Sequence, residues 1–238
     1  MGRRTRLPRR AHAASTELIH QGWLGTPEHA SPVRRGSNSS SSGIHPIANG
    51  LKLQPGDEVV VATNDFPSDV LPWLRLAIEG VVIKQVRPAD QVLSPDEVTA
   101  ALTPRTNGVC LTWVHSFSSR VIDLDGIGEL CRSADALFVV NGAQGVGGIP
   151  IAVNDHPIDA LTGVGFKYLC GPYGTGFCWL GPRSAERVSA SKMYWLAALA
   201  ADDLAAPELD LDSVKMPDTA AKHDMFANRQ LLQLRRVR

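Results

Sequence analysis

The feature that most constrains this chain is its middle stretch, where short β-branched runs alternate with segments of helical periodicity. Residues 57–63, 81–86, 107–113 and 136–141 read as strands, and residues 69–79, 95–102 and 124–134 read as helices. Strands and helices that alternate in this way fold as right-handed βαβ units, on a largely parallel sheet covered by helices on both faces. Two further runs, residues 160–163 and 176–180, are joined by a link short enough for an antiparallel pair, so the expected fold is α/β with a mostly parallel, mixed sheet.

With 238 residues and 44% apolar content, the chain can bury the core of one large α/β domain. Lys plus Arg and Asp plus Glu both number 24, so no global field points toward nucleic acid or a membrane surface, and a small-molecule partner is expected. The four cysteines, Cys110, Cys131, Cys170 and Cys178, contain no C-x-x-C pair, which argues against a zinc site or a disulfide framework and for a reducing cytoplasm. In the predicted strand pair, Cys170 and Cys178 read as small buried residues. No apolar run reaches the roughly 20 residues that cross a bilayer, and the N-terminus lacks the apolar stretch of a secretory signal.

Residues 1–36 read as a poorly ordered leader with one short helix near residues 14–22. Its arginines, Arg3, Arg4, Arg6, Arg9 and Arg10, suit a solvated tail, against a transit peptide or a nucleic-acid arm. The serine run 38–42 leads into Ile44, Ile47, Ala48 and Leu51, spaced as one buried helix face. A Ser-rich turn that opens a helix is an anion site, because hydroxyls and free backbone N–H groups converge there; a flexible linker is the alternative. Residues 37–185 read as the large domain, and 186–238 as a helical extension or the remnant of a smaller domain. Within that last stretch, 190–201 and 220–238 have helical character and 207–217 is loop-like.

Functional residues of an open α/β sheet collect where strands end at their carboxyl edge. Ser116 lies past one predicted strand, Asn141 and Gln144 end the next, and Lys167 follows the one after. Several motifs occur in order around these positions: Ser40-Ser41-Ser42-Gly43-Ile44, Gly56-Asp57-Glu58-Val59, Asp65-Phe66-Pro67-Ser68 with Pro72-Trp73, Asn141-Gly142-Ala143-Gln144, and Gly165-Phe166-Lys167 with Gly171-Pro172-Tyr173-Gly174-Thr175-Gly176. In this order they resemble the class V aminotransferase-like proteins, fold-type I enzymes that include cysteine desulfurases, C–S lyases and isopenicillin N epimerase-like enzymes.

The resemblance implies pyridoxal 5'-phosphate as cofactor, an amino-acid-like substrate, a homodimer, and the large domain of that fold with an incomplete small domain. It makes Lys167 the catalytic lysine of the internal Schiff base, a role that needs an amine in a partly desolvated pocket. It makes Phe66 the ring that stacks on the cofactor, Ser40, Ser41 and Ser42 its phosphate turn, and Gln144 and Ser116 polar contacts to it. Asn141 stands where most of the family has an Asp facing the pyridine nitrogen, and a neutral amide can only hydrogen-bond that nitrogen. None of Arg229, Arg235, Arg236 and Arg238 matches the family's substrate-carboxylate arginine, and no cysteine follows Cys178. Epimerase-, lyase- or aminotransferase-like chemistry is therefore expected ahead of desulfuration. The second reading is a cofactor-binding or regulatory protein without turnover. A nucleotide-binding domain ranks third, since Gly163-Val164-Gly165 and Gly174-Thr175-Gly176 fall short of a full G-x-G-x-x-G.

Overall fold

The computed structural model describes residues 34–37 and 39–190; the leader helix near 14–22, the helical and loop stretches beyond 190 and the C-terminal arginines lie outside the described residues. Seven strands form one sheet: β1 (Arg34–Ser37), β2 (Glu58–Ala62), β3 (Val82–Val86), β4 (Thr106–Thr112), β5 (Leu137–Asn141), β6 (Ala160–Val164) and β7 (Gly176–Leu180). Their order across the sheet is β1-β7-β6-β5-β4-β2-β3. Strands β2 to β6 run parallel, whereas β7 is antiparallel to β6 and β1 antiparallel to β7. The mixed sheet expected from the short 160–180 link is thus present.

The helices are α1 (Ser40–Gly50), α2 (Pro67–Leu74), α3 (Pro95–Ala101), α4 (Leu124–Ser133) and α5 (Pro182–Arg187). Alternation along β2 shows how they are placed. Val59 and Val61 face a core with Ile44, Ile47 and Ala48 of α1 and Val70 and Trp73 of α2. Val60 and Ala62 face the opposite core, with Val98 of α3 and Ile127 and Cys131 of α4. A strand buried on both faces needs no polar side, which is why β2 and β5 read as continuous apolar runs. Each fully buried valine or leucine contributes about 1.5–3 kcal/mol.

Three local features differ from the sequence-based expectation. Arg34–Ser37 is a strand, although its residues carry no apolar alternation; its partner β7 supplies the backbone pairing. Helix α2 begins at Pro67, whose missing N–H costs nothing at a helix start, and passes into a 3-10 turn over Arg75–Glu79. Cys178 is buried, as expected, but Cys170 is exposed, because its backbone turns through a φ of 51° in the loop before β7 rather than continuing a strand.

On the sheet edge away from the strand carboxyl ends, buried Asp159 accepts from Phe138 N–H at 2.8 Å and from Arg183 Nη1 at 2.9 Å. Arg183 also reaches Asp135 at 3.0 Å, so α5 is pinned to the start of β5. Among the described residues, no helix is long and apolar enough to cross a membrane.

Candidate active site

The registers bring the candidate residues to one edge. Asn141, the last residue of β5, pairs with Thr162 of β6, and Val164 at the end of β6 pairs with Gly176 at the start of β7. Ser37 at the end of β1 pairs with the same Gly176, so α1 begins at that edge as well. Ser116, Gln144 and Lys167 sit in the turns that follow β4, β5 and β6.

Helix α1 is started by Ser39, whose hydroxyl accepts from Ser42 N–H while Ser42 Oγ accepts from Ser39 N–H at 3.0 Å. This reciprocal capping box engages the Ser42 hydroxyl in the helix itself. The hydroxyl of Ser40 is buried without a partner, and so is that of Thr162 on β6. The helix lies close against β6 because Gly43 has no side chain: a Cβ there would stand 2.7 Å from Thr162 Cγ2. The serines therefore open a buried, docked helix, as the spacing of Ile44, Ile47 and Ala48 implies, and not a linker.

Lys167 lies in a compact loop closed by Gly165 N–H to Thr175 O at 2.7 Å, Gly171 N–H to Gly165 O at 2.6 Å and Cys170 N–H to Lys167 O at 2.9 Å. Phe166 stacks on Tyr173 with centroids 4.5 Å apart. Half-buried Lys167 extends its Nζ to 5.8 Å from the centroid of the Phe66 ring, within cation–π range. Burial holds the Lys167 amine below its usual pKa, opposed by the charge of Asp69. Phe66 precedes α2 and leaves 44% of its surface exposed, so one face of its ring is available.

Asn141 is fixed by three contacts. Its Oδ1 accepts from Ala143 N–H at 3.0 Å, and its Nδ2 donates to Asp69 Oδ1 at 2.7 Å and to Ser68 Oγ at 3.4 Å. Asp69 is fully buried, and burial together with the nearby charge of Asp65 pushes its carboxyl well above the usual range. Asp65 accepts from Thr112 N–H at 3.1 Å, and burial pushes its carboxyl up to about 6.

Asp69 and His115 were not among the residues singled out from sequence, and Asp65 entered only as part of the motif around Phe66, with no role given. A signal for Asp69 was present: it lies four positions before Trp73 on the buried face of α2, where an acidic residue is out of place. His115 is buried, with Nδ1 2.7 Å from Ser118 Oγ and Nε2 donating to the Asn64 carbonyl at 3.1 Å. It ties the turn after β4 to the one after β2. The structure brings Lys167 to Phe66 and Asn141 to Asp69. Half-exposed Ser116 and Gln144 make no side-chain hydrogen bond among the described residues.

The sequence profile of the class-V aminotransferases matches residues 36–193. A protein of Methanothermobacter thermautotrophicus named as a probable cysteine desulfurase is 34% identical over 143 residues, which cover 59% of this chain and 36% of the relative. The isopenicillin N epimerase of Amycolatopsis lactamdurans is 32% identical over 166 residues, 66% of this chain and 40% of that protein. The chain thus spans less than half the length of these relatives. Among solved structures, a Lys-to-Ala mutant of the lyase C-DES, with glycine covalently linked to its PLP cofactor, superposes with a TM-score of 0.74. It is 16% identical, over 92% of this chain and 58% of that one, and it shares the fold.

Proposed function

From the premise that the chain belongs to the aminotransferase class-V family, we propose that it binds pyridoxal 5'-phosphate through Lys167 and acts on an amino acid or amine, in epimerase-, lyase- or aminotransferase-like chemistry. The observation that carries this reading is the placement of Lys167: a half-buried amine, lowered in pKa by burial, beside the available face of Phe66 at the carboxyl edge of the sheet. Desolvation raises the share of neutral amine, the form that attacks a carbonyl carbon.

The other residues fit a flat, phosphorylated, basic ring. The Ser40 hydroxyl, buried and without a partner, and the N–H groups that open α1 suit a phosphate. Phe66 offers a stacking face. The polar pair Asn141 and Asp69 suits the ring nitrogen, and Gln144 and Ser116 have side chains free to turn toward polar substituents. When bound, the cofactor supplies an electron-withdrawing ring for chemistry at the carbon next to an amino group. Lys167 Nζ then holds and returns the proton at that carbon. Exposed Tyr168 and Tyr173, on the Lys167 loop, are a surface that a second copy of the chain would cover, in keeping with a homodimer.

Borohydride reduction of the chain after incubation with pyridoxal phosphate tests the reading. The modified peptide should contain Lys167; a label on another lysine, or none, would refute it.

A further inference from the structure

Buried polar atoms without partners are rare in folded proteins, and a carboxylate oxygen is among the most costly. Asp69 is 0% exposed; its Oδ1 is held by Asn141 at 2.7 Å, while its Oδ2 has no partner. Orientation of the Asn141 amide is set from the other side, because Ala143 N–H needs an acceptor and finds Oδ1 at 3.0 Å. A flipped amide would set its NH2 against that N–H and its oxygen against the Asp69 carboxyl. Asn141 therefore presents donors to α2, and the unengaged acceptor at this end of the site belongs to Asp69.

We propose that Asp69, contributed by α2, is the group that accepts the ring N–H of a bound pyridine cofactor, and that Asn141 at the end of β5 is the positioning residue that fixes it. The inference rests on the reading that the chain binds pyridoxal phosphate. The groups that set the protonation of Asp69 are Asp65, whose charge opposes ionisation, Lys167, whose charge favours it, and the hydrogen bonds from Asn141 and Ser68. Cys110 also lies within the field of Asp69, and burial keeps its thiol protonated. Burial and the Asp65 charge both raise the Asp69 carboxyl and so favour its protonated form. A pyridine nitrogen placed at Oδ2 would take the proton of the protonated carboxyl, and the carboxylate so formed would accept the resulting N–H. No external acid is needed, and one proton is conserved between the two atoms.

The first measurement uses the full chain without substitution. With pyridoxal phosphate labelled with nitrogen-15 in the ring, the bound signal should have the shift of a protonated pyridinium; the shift of an unprotonated pyridine overturns the inference. The second compares the affinity of pyridoxal phosphate with that of its 1-deaza analogue, in which C–H replaces the ring nitrogen. The unsubstituted chain should prefer the natural ring by more than tenfold, and Asp69→Asn should reduce the preference to less than threefold. The exchanged pair Asp69→Asn/Asn141→Asp, which keeps one carboxyl and one amide in contact, should restore it. A preference that survives Asp69→Asn overturns the assignment. Failure of the unsubstituted chain to take up pyridoxal phosphate would instead remove the functional reading beneath it.

Discussion

Lys167 Nζ lies 5.8 Å from the centroid of the Phe66 ring, although the two residues stand on loops that follow different strands of the sheet. A cation over an aromatic face stabilises by about 0.5–1 kcal/mol at partly exposed sites. Under the proposed function, the same ring face stacks on the cofactor. Phe66→Ala should weaken pyridoxal phosphate binding about threefold to tenfold, in line with the roughly 0.5–1.5 kcal/mol of offset stacking, while Phe66→Tyr should retain affinity. Titration followed by protein fluorescence reads both; equal affinities for the Ala and Tyr variants would show that the ring does not stack.

The serines that open α1 should divide by role. Ser42→Ala breaks the capping box and should lower stability by about 1 kcal/mol. Ser40→Ala removes a buried hydroxyl without a partner, so the cofactor-free chain should lose no stability. If Ser40 donates to the phosphate, the same change should weaken cofactor binding by more than tenfold, the equivalent of about 1.5–3 kcal/mol for a charge-assisted bond. Urea titrations and cofactor affinity, measured on both variants, give the comparison. Unchanged affinity in Ser40→Ala would remove Ser40 from the phosphate site.

The pH dependence of stability should carry the mark of Asp65. Its carboxyl rises from 3.8 to about 6 on folding, through burial, with Thr112 N–H and His115 opposing. The folded chain therefore holds this proton more tightly than the unfolded chain. The stability it contributes is fully present below 3.8 and is lost as pH rises through about 6. The loss amounts to about 2–3 kcal/mol. Asp69 is pushed up as well, by burial and by the Asp65 charge. Asp65→Asn, whose amide oxygen can still accept from Thr112, should flatten denaturation free energy between acid and neutral pH and raise stability at neutral pH. A slope identical to that of the unsubstituted chain would show that Asp65 does not titrate in this way.

Arg183→Met should be among the most destabilising changes outside the core. It leaves Asp159, almost fully buried, without its cation, and removing one partner of a buried ion pair costs about 3–5 kcal/mol. Adding Asp159→Asn should recover much of that loss in thermal denaturation, since the uncompensated charge then disappears. A double variant no more stable than Arg183→Met would assign the effect to packing of the arginine stem.

Residue pattern made the central sheet legible because local rules and tertiary context agree there. Val59 to Val61 are β-branched and buried on both faces, and the helices at 95–101 and 124–133 carry their own caps, Ser94 and Asp123. The edge strand Arg34–Ser37 was not legible, since its existence depends on pairing with residues of β7 far along the chain. Cys170 was misread as buried because the turn that exposes it is closed by Lys167 and Gly165 backbone groups, a relation that spacing does not encode. At the site, Lys167 and Phe66 were visible as residues in motifs. Asp69 was hidden inside a helical pattern, and its meaning came only with the amide of Asn141 against it.

The seating of α1 has a consequence for the order in which the protein can be made. The Gly43 carbonyl accepts from the Cys178 thiol across 135 positions of sequence, and a Cβ at position 43 would stand 2.7 Å from Thr162 Cγ2. A ribosome that adds about 5–20 residues per second therefore releases α1 on the order of ten seconds before the strands that receive it exist. During that interval Ile44, Ile47 and Ala48 can meet Val59, Val61, Val70 and Trp73, but not Ala160 of β6 or Cys178 of β7, which complete their core. Under the proposed function, capture of the cofactor becomes a late event in the life of the nascent chain, since α1 and the Lys167 loop are joined only once β6 and β7 are made.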